Sequence, residues 1–390
     1  MAAALACARA GHKVQLFERA AQFAEMGAGI QVGPNVTRVL HAWGLAHALD
    51  AVAAYPQCLE VRSATSGRQL GVLRLGEVAL QRYGAPYATV HRADLHQLLL
   101  DAVRAQPDVE LHTDSEVSGL SQDGQGVAVR TARNLHVEGD VLLGADGLWS
   151  VVRQWLLNDG LPRATGHVAY RALVPQAGLP ARLRSQHITV WLGARQHVVQ
   201  YPVRRGEWLN VVGIVQAASA ASPDADALAN DGTAGDPANW EQTTTASGLR
   251  VALAHTCAPL QDMVNTMGAW RCWVLCDRAP VTGAGQLAQG RVALLGDAAH
   301  PMRPYLAQGA GMAIEDAAAL AAVLENSGGE VDAALRVYAV RRWQRNARVQ
   351  ARAIRNGHIF HAQGLLRLGR DAALRVLGER LLDLPWLYRQ

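Results

Sequence analysis

The sequence predicts an α/β protein in three parts: a Rossmann-like dinucleotide-binding domain that lacks its first strand and glycine turn, an inserted mixed β-sheet domain, and a helical C-terminal region. Residues 1–18 change from helix to strand, residues 165–280 are rich in short strands, and residues 331–390 have helical periodicity. We therefore expect the dinucleotide-binding domain to comprise residues 1–164 and 281–330, on either side of the inserted sheet.

The composition is that of a globular protein with a sizeable core, because half of the 390 residues are hydrophobic and 18% are charged. The net charge is +4, and Lys13 is the only lysine. No basic run interleaved with aromatic residues occurs, which argues against a nucleic-acid partner. The small positive excess would instead help to attract an anionic substrate.

The five cysteines are scattered, and none forms a CxxC pair or has a histidine at metal-ligand spacing. They predict reduced thiols, a cytoplasmic protein and no metal site. No stretch of 18 uncharged apolar residues occurs, so we expect no membrane span. The apolar segment over residues 1–8 has no basic leader, which argues against a signal peptide.

The N-terminal segment predicts the second half of a βαβ unit. Residues 2–10 have helical character, Gly11 is suited to end the helix, and a short strand over residues 12–18 ends in Glu18. In a dinucleotide-binding unit, an acid at this position accepts hydrogen bonds from a ribose. The glycine turn GxGxxG would precede the helix and the sequence begins after that point, for which a misassigned start codon is one explanation.

Two further segments in the first hundred residues suit a phosphate-bearing ligand, although ordinary turns and helix starts share their pattern. A glycine-rich loop contains Gly29 and Gln31 and leads into a helix over residues 36–43. Arg92 begins a second helix that continues to about Gln106, within the string His-Arg-Ala-Asp-Leu.

Alternating segments over residues 109–137 predict a β-meander. The strand after it, over residues 140–144, ends just before Asp146 and Gly147, and a helix follows. A strand-to-helix turn of this kind is typical of cofactor binding when it occurs with a second such turn.

The most informative segment is Gly290–Asp316. It predicts a buried strand that ends at Asp297, a turn that contains Pro301, and a helix of small residues that begins near Gly309 and Gly311. Because the first turn of this helix carries no large side chain, its backbone N–H groups can approach an anionic or electron-accepting cofactor.

These motifs, in this order, resemble those of the single-component FAD-dependent aromatic hydroxylases, flavoprotein monooxygenases that act on hydroxybenzoates, salicylate and hydroxynicotinates. The resemblance extends from Glu18 to the region of Trp386. It implies an FAD-binding domain in two parts, bound FAD, NADH or NADPH as electron donor, and dioxygen, and a homodimer is typical of the family. The residues implied at the FAD are Glu18, Gly29, Gln31, Arg92, Asp146, Gly147, Asp297, Pro301, Gly309 and Gly311.

We expect the inserted sheet to cover the flavin and to supply the substrate site. His197 and Tyr201 are four residues apart on one predicted strand, and therefore on one face, because side chains alternate with a period of two. The spacing His-x-x-x-Tyr resembles the family's substrate-site pair, which implies that they are the catalytic base and its partner. Residues 217–240 are rich in Ala, Asp, Ser and Gly and predict a surface loop.

Arg171, Tyr305 and Gln308 are the further residues implied at the substrate. Arg171 would pair with a substrate carboxylate, or would be a flavin-side or structural arginine. This chain has Pro304 and Tyr305 where two members of the family have glutamine and histidine, so the identity of the aromatic substrate stays open.

The resemblance implies hydroxylation of a small phenolic or carboxylated aromatic compound, with oxygen delivered from a flavin C4a-hydroperoxide. Two alternatives stay open. One is a quinone-pathway hydroxylase of prenylated phenols, which shares the flavin motifs. The other is an N-terminally truncated product that binds little flavin and is inactive.

Overall fold

The computed structural model describes residues 1–23, 28–216 and 242–389, so the loop predicted over residues 217–240 lies outside the described residues. Within these ranges, α/β segments at both ends of the chain enclose a strand-rich middle. The strands are β1 (Val14–Phe17), β2 (Gly29–Val32), β3 (Cys58–Ser63), β4 (Gln69–Arg74), β5 (Ala88–His91), β6 (Val109–His112), β7 (Val117–Gln122), β8 (Val127–Thr131), β9 (His136–Gly139), β10 (Leu142–Gly144), β11 (Arg163–Pro175), β12 (Ile188–Gly193), β13 (Gln196–Val203), β14 (Trp208–Gln216), β15 (Gln242–Thr244), β16 (Trp270–Asp277), β17 (Ala288–Gln289) and β18 (Val292–Leu294). The helices are α1 (Ala2–Arg9), α2 (Pro34–Ala42), α3 (Ala46–Asp50), α4 (Gly76–Tyr83), α5 (Arg92–Arg104), α6 (Val151–Leu157), α7 (Ser247–Ala252), α8 (Ala258–Thr266), α9 (Gly296–Ala299), α10 (Gly309–Glu325), α11 (Val331–Phe360), α12 (Gly364–Leu377), α13 (Glu379–Leu382) and α14 (Pro385–Tyr388).

The dinucleotide-binding part contains two pairs of parallel strands. Strand β1 lies beside β6, and β10 lies beside β18. No strand of the described ranges joins the two pairs. The sequence grouped β6 with a β-meander, but only β7, β8 and β9 form that meander.

Small side chains bring α1 and α10 close together. Both helices are rich in alanine, the residue with the highest helix propensity. Ala6 of α1 forms a buried cluster with Ala317 and Ala321 of α10. Gly11 follows α1 with a φ of 85°, which is the left-handed conformation expected of a residue that ends a helix.

The inserted sheet has eight strands in the order β15-β16-β11-β14-β13-β12-β3-β4. All neighbours are antiparallel except β12 and β3, which are parallel. Two of the strands, β3 and β4, come from residues 58–74, which the sequence analysis assigned to the first part of the dinucleotide-binding domain.

Side chains of β11, β13 and β14 alternate between two environments. One set packs against α7 and α8; its members include Val168, Tyr170, Ala172, Val198, Leu209 and Val211. The other set faces the dinucleotide-binding part, where Ile214 clusters with Tyr305, and Tyr201 clusters with Met312 of α10. Because side chains alternate along a strand, Arg171 and His197 belong to this second set.

Helix α11 connects the two parts of the molecule. It has 30 residues and is therefore about 45 Å long. Near its start, the hydroxyl of Tyr338 donates to the carbonyl oxygen of Leu294 on β18, and near its end Phe360 packs beside the inserted sheet. The helix lies within residues 331–390, the region for which the sequence predicts helices. No helix in the described ranges combines the length and apolar character that crossing a bilayer requires.

Candidate active site

The candidate site lies where the second face of the inserted sheet meets the segment from Asp297 to α10. Gly296, just before Asp297, has a φ of 54°, and a Cβ there would lie 2.9 Å from the Cβ of Ala313 on α10. Only glycine adopts this positive φ without strain and has no Cβ that would clash with Ala313. The glycine thus turns the chain sharply at the end of β18 and brings Asp297 beside the start of α10.

Asp297 lies in a recess. Its neighbours Gly296 and Ala298 are buried, whereas its own side chain is accessible to solvent. The protein that surrounds it desolvates the carboxyl group and raises its pKa above the ordinary value, while the charges of His300 and Arg92 act in the opposite direction. A carboxylate that is both surrounded and accessible lines a cleft, and Arg92 lies near enough for its charge to act there.

The N-terminus of α10 opens beside this carboxylate. Gln308 precedes the helix, and no side chain caps its first N–H groups. A Cβ at Gly309 would lie 3.9 Å from Oδ1 of Asp297, whereas a Cβ at Gly311 would come within 2.9 Å of Val36. The uncapped N-terminus of a 17-residue helix is therefore accessible to an anionic group beside Asp297.

Two predicted residues of the glycine-rich loop lie on a short strand. In the antiparallel pair β2–β5, Gly29 stands opposite His91, so it lies next to Arg92 at the start of α5. The backbone N–H of Arg92 donates to the carbonyl oxygen of Ala28 (2.6 Å), and its side chain is exposed. Oε1 of Gln31 accepts a hydrogen bond from Tyr87 (2.8 Å).

The helix that follows the Asp146 turn is linked to the Asp297 turn by the side chain of Arg153, which hydrogen-bonds to backbone carbonyl oxygens. The carboxylate of Asp146 accepts from Oγ of Ser150 (2.5 Å) and from the N–H of Val152 (3.1 Å), which caps α6. Nη1 of Arg153 donates to the carbonyl oxygens of Ala298 (3.0 Å) and Ala299 (2.6 Å). Gly147 has a φ of 77°, which favours glycine.

Glu18 lies directly after β1, as predicted. Its backbone N–H donates to the carbonyl oxygen of His112, and its Oε1 accepts from the N–H of Ala20 (2.9 Å). The charge of its carboxylate also acts on the buried amino group of Met1, which lies at the start of α1. The acid therefore lies near the N-terminal end of α1.

A buried group of charged residues, the charged cluster, supports the recess from behind, and the sequence analysis missed it. Asp316 pairs with His300 (2.5 Å) and Arg342 (2.8 Å), and Glu315 pairs with Arg342 (3.0 Å) and Arg345 (2.6 Å). The charges of His300 and Arg342 hold the pKa of Asp316 well below its usual range, despite its burial. Two adjacent acids inside an apolar helix were the available signal in the sequence, since a buried acid requires a partner.

Hydrogen bonds from Asn35 and Gln350 hold two of the predicted residues, Gln308 and Pro301. Asn35 donates to Glu315 (2.6 Å) and to Oε1 of Gln308 (3.0 Å), and Gln308 is buried. The carbonyl oxygen of Pro301 accepts from Nε2 of Gln350 on α11 (3.0 Å). Because these contacts hold the segment from Asp297 to Gly309 on both sides, the recess is preformed.

Tyr201 and Arg171 lie on the sheet face that meets Gly29. A Cβ at Gly29 would lie 2.4 Å from Cε2 of Tyr201, and the N–H of Gly29 donates to Oδ1 of Asn210 (2.9 Å). Tyr201 is buried, which raises the pKa of its hydroxyl, while the charge of Arg171 acts in the opposite direction. Arg171 is itself buried and lies over the ring of Trp273 (5.3 Å).

His197 lies in a ring cluster with Tyr305, Phe360, His361 and His167. Its ring centroid is 5.2 Å from that of Tyr305, 5.2 Å from Phe360 and 5.0 Å from His361. Burial, with His361 and His167 nearby, lowers the pKa of His197 well below its ordinary value. His361 and Phe360 come from the C-terminal end of α11, and no motif in the sequence marked them.

His197 and Tyr201 share a face of β13 as predicted, but they have different neighbours. Four residues of strand span about 13 Å. Tyr201 contacts the glycine-rich strand β2, whereas His197 belongs to the ring cluster with Tyr305. The rings of His167 and His197 each lie tilted against the ring of His361. No group of three or more His, Cys, Asp or Glu side chains in the described residues has an arrangement that would hold a metal ion.

The residues around Asp297 fit a large cofactor that carries phosphate groups and hydroxyls. The open N-terminus of α10 and the exposed Arg92 suit the phosphates, and the accessible carboxylate of Asp297 suits hydroxyl groups. The absence of a side chain at Gly309 lets such a ligand approach the backbone, whereas Gly311 is needed for close packing against Val36.

Comparison with known proteins agrees with this fit. The model of the FAD binding domain family matches residues 1–353. The chain is 34% identical to a 3-hydroxybenzoate 6-hydroxylase of Polaromonas naphthalenivorans, over 100% of this chain and 92% of that protein. It is 34% identical to a 6-hydroxynicotinate 3-monooxygenase of Bordetella bronchiseptica, over 90% and 86%. Among solved structures, Klebsiella pneumoniae HpxO complexed with FAD and uric acid superposes with a TM-score of 0.81 at 25% identity, over 98% of this chain and 91% of that one.

Proposed function

The chain belongs to the FAD binding domain family and is an FAD-dependent aromatic hydroxylase, and we propose that its substrate is a small aromatic ring that bears a hydroxyl group and a carboxylate. Both 3-hydroxybenzoate and 6-hydroxynicotinate, the compounds in the names of two relatives, have these two groups. The observation that carries the proposal is a buried arginine, Arg171, on the same sheet face as the buried His197 and Tyr201.

Bound FAD supplies the redox chemistry that activates dioxygen for insertion of one oxygen atom into the ring. The residues proposed to hold it are those around the recess: Glu18, Gly29, Gln31, Arg92, Asp146, Gly147, Asp297, Pro301, Gly309 and Gly311. In this assignment Arg92 and the N-terminus of α10 bind phosphate groups, and Asp297 accepts hydrogen bonds from hydroxyl groups of the cofactor.

Arg171 is proposed to bind the substrate carboxylate. A buried guanidinium is a strong partner for a carboxylate because it offers several donors in a planar arrangement. Tyr201 lies near enough for the charge of Arg171 to act on it, so a substrate held by Arg171 would place its ring beside Tyr201.

His197 and Tyr201 are proposed as the catalytic residues, with His197 at the substrate hydroxyl and Tyr201 beside the ring. Burial keeps the imidazole of His197 neutral at neutral pH and keeps the hydroxyl of Tyr201 protonated. His197 can therefore hydrogen-bond with a phenolic oxygen, and ionisation of that oxygen makes the ring a stronger nucleophile. Tyr305, which packs on His197, and Gln308 are proposed to border the ring on its other side.

A cavity beside the Asp146 turn supports NADH or NADPH as the electron donor. It has a volume of about 660 Å³ and is lined by Trp149, Trp155 and the buried Arg278, among others. Tryptophan rings suit the stacking of a nicotinamide, and Arg278 has a buried Nε without a hydrogen-bond partner among the described residues. Trp155→Ala is expected to raise the KM for the donor while the FAD content stays the same.

The proposal is tested by substrate-stimulated oxidation of NADH and NADPH by the FAD-loaded chain, with identification of the product. Salicylate, the hydroxybenzoates and the hydroxynicotinates are assayed beside prenylated phenols. We expect a hydroxylated product from at least one of the carboxylated compounds. Formation of hydrogen peroxide alone with every compound, or products from prenylated phenols only, would contradict the proposed substrate class.

Replacement of Arg171 tests whether this residue binds the substrate carboxylate, independently of how the aromatic ring is bound. For Arg171→Gln, loss of a charge-assisted hydrogen bond of about 1.5–3 kcal/mol raises the KM for the carboxylated substrate roughly tenfold to a hundredfold. The same phenol without its carboxylate is the control, and its KM is expected to change little. An equal change for both compounds would show that Arg171 does not bind the carboxylate.

A further inference from the structure

His197 is hydrogen-bonded to a second histidine at the end of α11. Its Nδ1 lies 2.8 Å from Nε2 of His361, and both side chains are buried. Two nitrogen lone pairs do not attract each other, so one of the two atoms carries a hydrogen and donates it. Which atom donates decides what the opposite nitrogen of His197, Nε2, offers to a ligand.

The backbone and the neighbouring rings hold His361 in place. Its N–H donates to the carbonyl oxygen of Gly357 (3.1 Å), and its own carbonyl oxygen accepts from the N–H of Arg195 in the β12–β13 turn (3.2 Å). The ring of His197 is enclosed by His361, Phe360 and Tyr305. The hydrogen bond between the two histidines is therefore fixed by the fold and does not depend on a flexible side chain.

The surroundings of His361 are positively charged. Burial is the main cause that lowers its pKa to about 3, and His167, Arg370, His358 and Arg303 lower it further. His167 donates its Nδ1–H to the carbonyl oxygen of Thr165 (3.0 Å), and Asp277 is an acid whose charge acts on that histidine and on Tyr305. His361 is therefore neutral and carries a single hydrogen.

The position of that hydrogen follows from the second nitrogen of His361. Nδ1 of His361 is buried and has no hydrogen-bond partner among the described residues. If His197 donated, the hydrogen of His361 would be on Nδ1, as a buried N–H without an acceptor among cationic groups. Unpaired buried N–H groups are rarer than unpaired acceptors, and positive charges stabilise a lone pair relative to an N–H.

We propose that His361 donates its Nε2–H to Nδ1 of His197, so that His197 presents Nε2–H to the oxygen of the substrate hydroxyl. This inference rests on the proposed function, in which His197 contacts that hydroxyl. His197 is then a hydrogen-bond donor to the oxygen and not the base that the sequence resemblance implied. His361 acts through His197 and is a positioning residue.

A fixed donor at this point favours the ionised form of the substrate. An N–H that points at a phenolic oxygen stabilises the phenolate relative to the phenol, so the bound substrate loses its proton to solvent at a lower pH. The ring is activated in this way without transfer of a proton to His197. The low pKa of His197 suits this role, because a neutral imidazole donates from Nε2 over the whole neutral range.

The first test is the tautomeric state of the two histidines in the FAD-loaded protein without substrate. Long-range ¹H–¹⁵N correlation spectra of protein labelled with ¹⁵N-histidine distinguish the two tautomers, and spectra of His197→Gln and His361→Gln assign the signals. We expect both residues to carry hydrogen on Nε2 with a bare Nδ1. A spectrum in which Nδ1 of His197 carries the hydrogen would overturn the proposal.

The second test compares two substitutions of His361 with side chains of the same shape, of which one can donate a hydrogen bond and the other can only accept one. In His361→Gln the amide can still donate to Nδ1 of His197, whereas in His361→Glu a carboxylate, held ionised by Arg303 and Arg370, only accepts. We expect His361→Gln to keep kcat/KM near that of the original chain. His361→Glu should lower kcat/KM by roughly tenfold or more and move the hydrogen of His197 to Nδ1.

The two tests separate this inference from the proposed function. The spectra need neither substrate nor electron donor, so they give a result even if His361→Glu does not fold. If the spectra show Nε2–H on both histidines but the Gln and Glu variants hydroxylate equally well, His197 does not contact the substrate hydroxyl, and the link to the substrate is overturned. If His361→Glu is faster than His361→Gln, His197 acts as a base and the proposal is wrong.

Discussion

Two buried polar groups lie on either side of the candidate site, and they are built in opposite ways. In the charged cluster behind α10, each carboxylate of Glu315 and Asp316 is paired with at least two arginine or histidine side chains. In the ring cluster on the inserted sheet, Nδ1 of His361 and the hydroxyl of Tyr305 are buried without a hydrogen-bond partner among the described residues. The first arrangement stabilises the fold, and the second leaves polar atoms for a ligand or a water molecule to satisfy.

The comparison predicts that the charged cluster is the more costly to break. Arg342→Met leaves Glu315 and Asp316 without one partner each, and an uncompensated buried charge costs about 3–5 kcal/mol of unfolding free energy. Urea denaturation measures the change. Arg341→Met is the matched control, because Arg341 is the exposed neighbour on the same helix, and it should change stability by less than about 0.5 kcal/mol. Equal losses of unfolding free energy in both variants would mean that the ion pairs of Arg342 do not stabilise the fold.

The ring cluster should affect the reaction more than the stability. His197→Ala removes the N–H donor proposed at the substrate hydroxyl, so the hydroxylation rate is expected to fall about a hundredfold. The FAD content should stay unchanged, since His197 lies away from Asp297. The rate is measured by product formation, with FAD absorbance of the same sample as the control. An unaltered hydroxylation rate would remove His197 from the mechanism.

A smaller effect is expected at the open N-terminus of α10. Gly309→Val adds a side chain beside Asp297, where a Cβ meets no atom closer than 3.9 Å, so the fold should tolerate it while the recess is narrowed. We expect FAD to bind roughly tenfold more weakly, or about 1.4 kcal/mol. Gly283→Val is the control, because Gly283 has extended backbone and open space around it. FAD titration measures the dissociation constant of both variants. Equal affinities would mean that FAD does not bind at the N-terminus of α10.

The smallest effect concerns the pH dependence of stability. The pKa of His361 is lowered to about 3 in the folded protein, against about 6.5 in an unfolded chain. Between these values the unfolded chain binds the additional proton, so stability is complete above pH 6.5 and is lost as the pH falls toward 3. In His361→Gln the slope of unfolding free energy between pH 4 and 6 should decrease by at most about 1.4 kcal/mol per pH unit. Denaturation curves at several pH values measure it, and an unchanged slope would contradict the burial of a neutral His361.

The sequence could predict the local structure around Asp297 far better than the contacts made by the inserted sheet. Asp297, Gly309 and Gly311 lie within one continuous segment, and local rules on strand ends, glycines and helix starts apply to such a segment. The partners of that segment were not predictable in the same way, because Arg342 is only one of many arginines on α11. Its pairing with Asp316 depends on how α11 packs on α10.

The substrate side depends on contacts between distant parts of the chain. The period of two correctly placed His197 and Tyr201 on one face of β13. Nothing in the sequence places His361 against His197, since 164 residues separate them and a single histidine after a long helix is not a motif. The joining of β3 and β4 to the inserted sheet is a similar case, because strand pairing across a domain boundary leaves no local pattern.

Helix α11 has one more consequence, which concerns spacing. Gln350 holds the carbonyl oxygen of Pro301, and His361, just beyond the last turn, holds His197. Eleven residues separate these two anchor points, which corresponds to about 16 Å of helix. The separation between the Asp297 turn and His197 is thus set by a count of helical residues. Insertion or deletion of a single residue between the anchors would rotate one anchor by about 100° relative to the other, so the length of this stretch is a constraint on the reaction although none of its side chains needs to touch the substrate.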